Sequence, residues 1–237
     1  MDIINRNLCR RLRLIKAVFF DLFFTLIYPH YSFDNEYDVI GLSSTEWEKY
    51  AENDTLYIER ASGKIRTEKG IINRIVNIMP YKVDEEQKHK ILERRQERMK
   101  RALLEVNNEI LETLKILHER DIKIGLISNA DIIDSKHWSE SPLAKFFDSV
   151  VFSCNVGMLK PEVGIYNCAM KALNVMPKES IFVGDGGSNE LYGAKKAGMK
   201  TIFTEYLESK SEIRKEQIMI SADFHVKSFD EILNYID

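Results

Sequence analysis

Apolar positions along this chain fall into two alternating rhythms. Six short, nearly unbroken apolar runs, rich in β-branched residues and phenylalanine, occupy Ile15–Phe20, Ile122–Ile127, Val150–Phe152, Ile181–Val183, Thr201–Phe203 and Phe224–Val226. Each predicts a strand. Because the runs scarcely alternate with polar residues, the strands are expected to be parallel and covered on both faces. Between them, apolar residues recur at three- and four-residue spacing. Ile110, Leu111, Leu114 and Leu117 make one helical stripe, and Ile165, Ala169 and Leu173 make another, with Pro161 suited to its first turn. A further helix is predicted from about Ser188 to Ala197, stopping at Gly198. Strand and helix alternate, so the expected fold is α/β, a doubly wound parallel sheet.

One interval breaks the alternation. From about Tyr31 to Leu104 the pattern holds no convincing strand and at least three helices. Ser43 and Glu46 form a capping box ahead of Trp47, Tyr50 and Ile58. Ile71, Ile72, Ile75, Val76 and Met79 make a strong helical stripe ended by Pro80, and a long charged helix is predicted over Asp84–Leu104. This predicts two units: an α/β core from residues 1–30 and 105–237, and an inserted α-helical cap domain from 31–104.

Composition changes this picture little. The 237 residues are 44% hydrophobic and 30% charged, as in ordinary globular proteins. A net charge of −3 gives no global basic field, so no nucleic-acid partner is expected. The arginine-rich stretch Met1–Lys16 precedes an apolar run that Asp21 interrupts, too short for a signal peptide core. No run approaches the ~20 apolar residues of a membrane span, and a cytoplasmic protein with no membrane partner is expected. Cys9, Cys154 and Cys168 are odd in number, lack CxxC spacing, and read as reduced thiols.

The candidate chemistry lies at the strand ends. In open parallel sheets ligands bind beyond the carboxyl ends of the strands. There the first strand delivers Asp21, the second Ser128 and Asn129, the third a loop leading to Lys160, and the fourth Gly184 and Asp185. Two carboxylates, a lysine and small hydroxyl donors on neighbouring strands suit a metal-assisted phosphate site.

These residues, in order and spacing, resemble the haloacid-dehalogenase-like hydrolases. Phe20-Asp21-Leu22-Phe23-Phe24-Thr25-Leu26 is similar to that family's first motif, D-x-D-x-T, and Ile127-Ser128-Asn129 to its second. Gly157–Pro161 with Ile165-Tyr166 resembles the third, and Gly184–Leu191 running into Gly193-Ala194 and Ala197-Gly198 resembles the fourth. The likeness covers residues 15–28 and 106–237; the helical insert fits by position and length. The resemblance implies that Asp21 attacks and forms a covalent aspartyl intermediate, with Ser128 orienting the transferring group and Lys160 neutralising its charge. It also places Thr25 and Asn129 against the substrate. Mg²⁺ would be held by Asp21, Asp185 and the backbone carbonyl of Phe23, with Glu190 reaching it through water, pairing with Lys160, or serving as a first-turn helix acid.

Phe23 departs from the motif. It stands where the family carries an aspartate that protonates the leaving alcohol, and phenylalanine transfers no proton. Loss of acid–base help typically costs ~10²–10⁴ in rate. Plainer readings stand beside the functional ones. Ser128 reads as the cap of a helix starting near Asp131, Lys160 as a loop lysine, and Asp185 as a turn residue. Seven bases between Lys88 and Arg101 (Lys88, Lys90, Arg94, Arg95, Arg98, Lys100, Arg101) read as a solvated helix face or as a surface drawing in anionic substrate. His137 and Trp138 read as structural residues or as cleft lining.

Three functions are consistent with these residues. The first is a Mg²⁺-dependent phosphatase acting on a small phosphorylated or otherwise anionic substrate, favoured by Asp185. The second is a metal-independent 2-haloacid dehalogenase, which an aromatic Phe23 suits because halide needs no proton. The third is a hydrolase-like fold kept as a binding or regulatory module.

Overall fold

The computed structural model describes residues 14–236, so Cys9 and most of the arginine-rich N-terminal stretch lie outside the described residues. Six parallel strands form one sheet in the order β3-β2-β1-β4-β5-β6: β1 Ala17–Phe20, β2 Lys123–Ser128, β3 Ser149–Phe152, β4 Ser180–Gly184, β5 Lys200–Thr204 and β6 Phe224–Val226. All six predicted strands are present. The period of two sorts β1 between the sheet's faces. Val18 and Phe20 join one core with Leu126, Ile181 and Ile202, while Ala17 and Phe19 join the other with Tyr166, Phe182 and Phe203. β1 is central, with β2 on one side and β4 on the other. The sheet order changes direction there, so its carboxyl end opens at a switch point.

Residues 31–104, between β1 and β2, carry four α-helices: α1 Ser44–Ala51, α2 Asp54–Ala61, α3 Glu68–Asn77 and α4 Glu85–Leu104. The Ser43–Glu46 capping box is formed, and Asp84 caps α4. Ile71, Ile72, Ile75, Val76 and Met79 pack with Trp47 and Ile91 into a third apolar cluster. The remaining helices are α5 Asn108–Glu119, the single turn α6 Ser153–Val156, α7 Val163–Leu173, α8 Glu190–Lys196 and α9 Glu212–Met219.

Local details differ from the sequence reading. The helix expected from Ser188 begins at Glu190, because Gly186, Ser188 and Asn189 all take positive φ and fold back the chain after β4. Pro161 precedes α7 across a cis Lys160–Pro161 bond, and Glu162 is the N-cap. Asp131 opens a run of turns, not an α-helix, so Ser128 caps nothing there.

The helical insert meets the core through buried charge. Arg60 on α2 donates to Asp131 Oδ2 at 2.8 Å and to Glu52 at 2.6 Å. Arg95 on α4 donates to Asp134 Oδ1 at 2.8 Å and Asp131 Oδ2 at 3.1 Å. Arg60, Arg95, Asp131 and Asp134 are all buried. Nearby, Gly63 lies so close to Cys154 that a Cβ would fall 2.1 Å from its carbonyl oxygen. The basic run of α4 is split: Lys88 and Lys90 pair with Glu85 and Glu86 at the solvated surface, whereas three arginines are engaged by the fold. Arg95 is spent on this quartet, Arg98 on the buried Glu36, and Arg101 on the carbonyl of His30.

Candidate active site

Strand register assembles the candidate residues. Asp21, one residue past β1, hydrogen-bonds through its backbone N–H to the Val183 carbonyl of β4 at 2.9 Å. Ser128 ends β2 and Asp185 follows β4, so all three stand on adjacent strands. Lys160 comes from the loop between β3 and α7. Its backbone is fastened to Asn129, whose Oδ1 accepts from Lys160 N at 2.8 Å and whose Nδ2 donates to Lys160 O at 3.1 Å. The Asn129 amide, expected to face substrate, is thus occupied in positioning Lys160.

The Lys160 ammonium donates to Asp21 Oδ1 and, at 2.5 Å, to Glu190 Oε2. Burial alone would push Lys160 down, but Asp21 and Glu190 outweigh it and hold the ammonium charged. Glu190 also accepts from Gly186 N at 3.1 Å. Gly184 makes room for it, since a Cβ there would fall 2.1 Å from Glu190 Oε1. Of the three readings of Glu190, the geometry shows two at once: it pairs with Lys160 and is the first-turn acid of α8.

Asp21, Asp185 and Glu190 are buried, and each offers an oxygen within 4.8 Å of the others. Burial is the main reason that Glu190 is pushed well above its ordinary range, with Asp21 adding to it. Burial likewise raises Asp21, with Lys160 opposing and Asp185 reinforcing. Three carboxylates this close resist joint ionisation, and a divalent cation among them relieves both repulsion and desolvation. By charge, spacing and hard oxygen chemistry the donor set fits Mg²⁺. Two hydroxyls are also notable. Thr25 Oγ1 and Ser128 Oγ are buried and have no hydrogen-bond partner among the described residues. An unsatisfied buried hydroxyl costs ~1–3 kcal/mol, a cost that a bound anion accepting those hydrogens would remove.

Phe23 is half-buried and packs against the core cluster beside β1. Phe24 takes φ +58°, unusual for a bulky residue. His137 pairs with Glu140 at 2.6 Å, and Trp138 stacks edge-on against Phe147 and Phe152.

Two groups at this end of the sheet were not expected. One is Lys210, in the loop after β5, whose Nζ lies 2.6 Å from Asp185 Oδ2. No motif or periodicity marks a lone loop lysine. The other is the Arg60–Arg95–Asp131–Asp134 quartet. It left a sign in the sequence, because Ile91, Arg95, Met99 and Leu103 share one buried stripe with an arginine at an apolar position.

Residues 18–204 match the haloacid dehalogenase-like hydrolase family, well over half of the chain. The chain belongs to that family. Among relatives of this haloacid dehalogenase-like hydrolase, the glyceraldehyde 3-phosphate phosphatase of Pyrococcus furiosus is 38% identical over 98 residues. That match spans only 40% of this chain and 40% of the relative's length. A haloacid-dehalogenase-family enzyme from Bacteroides thetaiotaomicron, in complex with magnesium and inorganic phosphate, has the same fold. Its TM-score is 0.64 at 21% identity, covering 84% of this hydrolase and 98% of that chain. The L-2-haloacid dehalogenase of Xanthobacter autotrophicus gives a TM-score of 0.63 at 16% identity, covering 94% and 98%. These structural likenesses are of fold. Among the described residues, no helix is long and apolar enough to cross a membrane.

Proposed function

We propose that this hydrolase is a Mg²⁺-dependent phosphatase that acts on a small phosphorylated substrate through an aspartyl-phosphate at Asp21. The observation that carries the reading is the buried trio Asp21, Asp185 and Glu190, two of whose members pair with Lys160. Displacement of halide by one carboxylate needs no such cluster, whereas a dianionic phosphoryl group needs compensating positive charge. Relatives named as phosphatases support the same choice.

Asp21, Asp185 and the carbonyl of Phe23 would hold the cation, which supplies charge neutralisation for the phosphoryl oxygens. The chain's own residues do the rest. A carboxylate oxygen of Asp21 forms a bond to phosphorus as the bond to the leaving oxygen breaks. The electron pair leaves with that oxygen, which must take up a proton. Lys160, kept charged by its two carboxylates, stays beside the anion, and the hydroxyls of Thr25 and Ser128 donate to its oxygens. Water then attacks phosphorus, the bond from phosphorus to the Asp21 oxygen breaks to restore the carboxylate, and phosphate leaves. The proton that water gives up to solvent balances the one the leaving oxygen takes from it. Residues 31–104 form a cap over the site in this reading. In support, Tyr57 on α2 comes within 3.5 Å of Ser188, beside Asp185.

Phe23 favours a second reading, the metal-independent dehalogenase, because halide leaves without a proton. The two separate in one experiment. Titrating Mg²⁺ into an aryl-phosphate assay should give metal-dependent turnover that Asp21→Asn abolishes with the fold intact. Residual activity above a tenth of wild type, only ~1.4 kcal/mol of barrier, would rule out the covalent mechanism. Halide release from a 2-halo acid in the presence of chelator would select the dehalogenase instead. Silence on both would leave a binding role.

A further inference from the structure

Lys210 is charged, mostly buried and without a role in the mechanism above. Its Nζ donates to Asp185 Oδ2 at 2.6 Å, contacts Glu208, and lies 5.6 Å from the centre of the Phe24 ring. The side chain is only 16% exposed. Its backbone is pinned as well, since Lys210 N donates to the buried Glu205 at 2.9 Å. The other oxygen of Asp185 accepts from Gly187 N at 3.0 Å. Both oxygens of Asp185 are therefore engaged by the protein, one of them by a full positive charge. Phe24, held at positive φ, presents its ring to that same ammonium. Strain of this kind persists only where the surroundings impose it.

A divalent cation drawing on Asp185 meets an ammonium already there, and two cations on one carboxylate repel strongly in a buried site. We propose that Lys210 is a built-in competitor for the cation: it pairs with Asp185 when the cation is absent and passes to Glu208 when the cation binds. Glu208 suits the second position because it already touches the ammonium and is more exposed, at 34%. The inference rests on the cation-dependent reading of Asp185. It adds that cation affinity is set by a residue outside the family-like motifs.

Mg²⁺ binding measured by calorimetry without substrate tests it, on wild type, Lys210→Met, Lys210→Arg and Glu208→Gln. Removing the charge should tighten Mg²⁺ binding by at least about tenfold, while Lys210→Arg stays near wild type. Glu208→Gln, which leaves Asp185 and Lys210 in place, should weaken binding several-fold because the displaced ammonium loses its second partner. Melting in chelator gives an independent readout. Lys210→Met should melt below wild type, with Asp185 unpaired, and should recover more degrees on adding Mg²⁺. Unchanged or weaker Mg²⁺ binding in Lys210→Met, with binding abolished in Asp185→Asn, would overturn the competition and keep the cation reading. If Lys210→Met does not fold, a Glu208→Gln affinity equal to wild type overturns it in the same way. Absence of Mg²⁺ binding in every protein would overturn both.

Discussion

Under the proposed mechanism, Phe23 limits which bonds this site can break. An alkoxide leaving without a proton is a poor leaving group, and the half-buried ring of Phe23 supplies none. Rate is therefore expected to depend steeply on leaving-group acidity, with aryl and acyl phosphates turned over faster than alkyl or sugar phosphates. Phe23→Asp should raise alkyl-phosphate turnover by ~10²-fold, the lower end of general-acid effects. Because Phe23 packs against the core beside β1, the comparison needs a melting curve and the aryl-phosphate rate for the same variant. A folded Phe23→Asp protein with no gain on alkyl phosphates would contradict the missing-acid account. So would a wild type that hydrolyses sugar phosphates rapidly. At this scale the sequence was informative about Asp21, Ser128, Lys160 and Asp185, since strand ends and order point to them. It was silent on what those side chains touch. That Asn129 holds the Lys160 backbone, or that Lys210 reaches Asp185 from 25 residues away, depends on loop paths that no local pattern encodes.

Among the elements, α4 carries the sharpest energetic consequence. Its buried stripe runs Ile91, Arg95, Met99 and Leu103, and the guanidinium at its centre meets Asp131 and Asp134 in the turns after β2. Burial pushes Asp134 up, with Asp131 adding to it, so the pair of acids depends on both arginines for compensation. Removing one partner from a buried ion network leaves a charge that neither water nor protein balances. Arg95→Met should thus cost ~3–5 kcal/mol of stability, measured by urea denaturation. Lys90→Met, on the same helix but paired with Glu86 in solvent, should leave the unfolding midpoint where it is. A small effect of Arg95→Met would mean that the quartet is hydrated and contributes little. The central strands β1, β2 and β4 were legible because a parallel strand buried on both faces must be a nearly continuous apolar run. The start of α8 was not. Helical periodicity runs back through Ser188, but Ser188 and Asn189 sit at positive φ in the turn that follows Asp185. Site geometry there overrides local propensity.

The molecule as a whole stores its electrostatic cost at one end of the sheet, and pH should reveal it. In the cation-free protein, burial and the neighbouring Asp21 hold Glu190 well above the ordinary 4.5 of a glutamate. Between that value and its folded value, the native state keeps a proton that an unfolded chain has lost. The native state binds more protons, so stability falls as pH rises through this window, by at most ~1.4 kcal/mol per pH unit for one group. Asp21 and Asp134, also raised by burial, act in the same direction. Carboxylates held low, such as Glu179 paired with Lys16, change stability only below the ordinary range and do not offset the fall. Lys160, held charged, contributes a constant amount until far more alkaline pH. The melting temperature in chelator should therefore drop between pH 5 and pH 8. Glu190→Gln should make that drop smaller without removing it, because Asp21 and Asp134 remain. Mg²⁺ favours ionised carboxylates and prefers the native state, so adding it should stabilise the protein more at pH 8 than at pH 5. A Glu190→Gln profile parallel to wild type would show that Glu190 is already ionised at pH 5. The fall in stability would then come from Asp21 and Asp134 alone. An Mg²⁺ stabilisation independent of pH would place the cation away from these carboxylates.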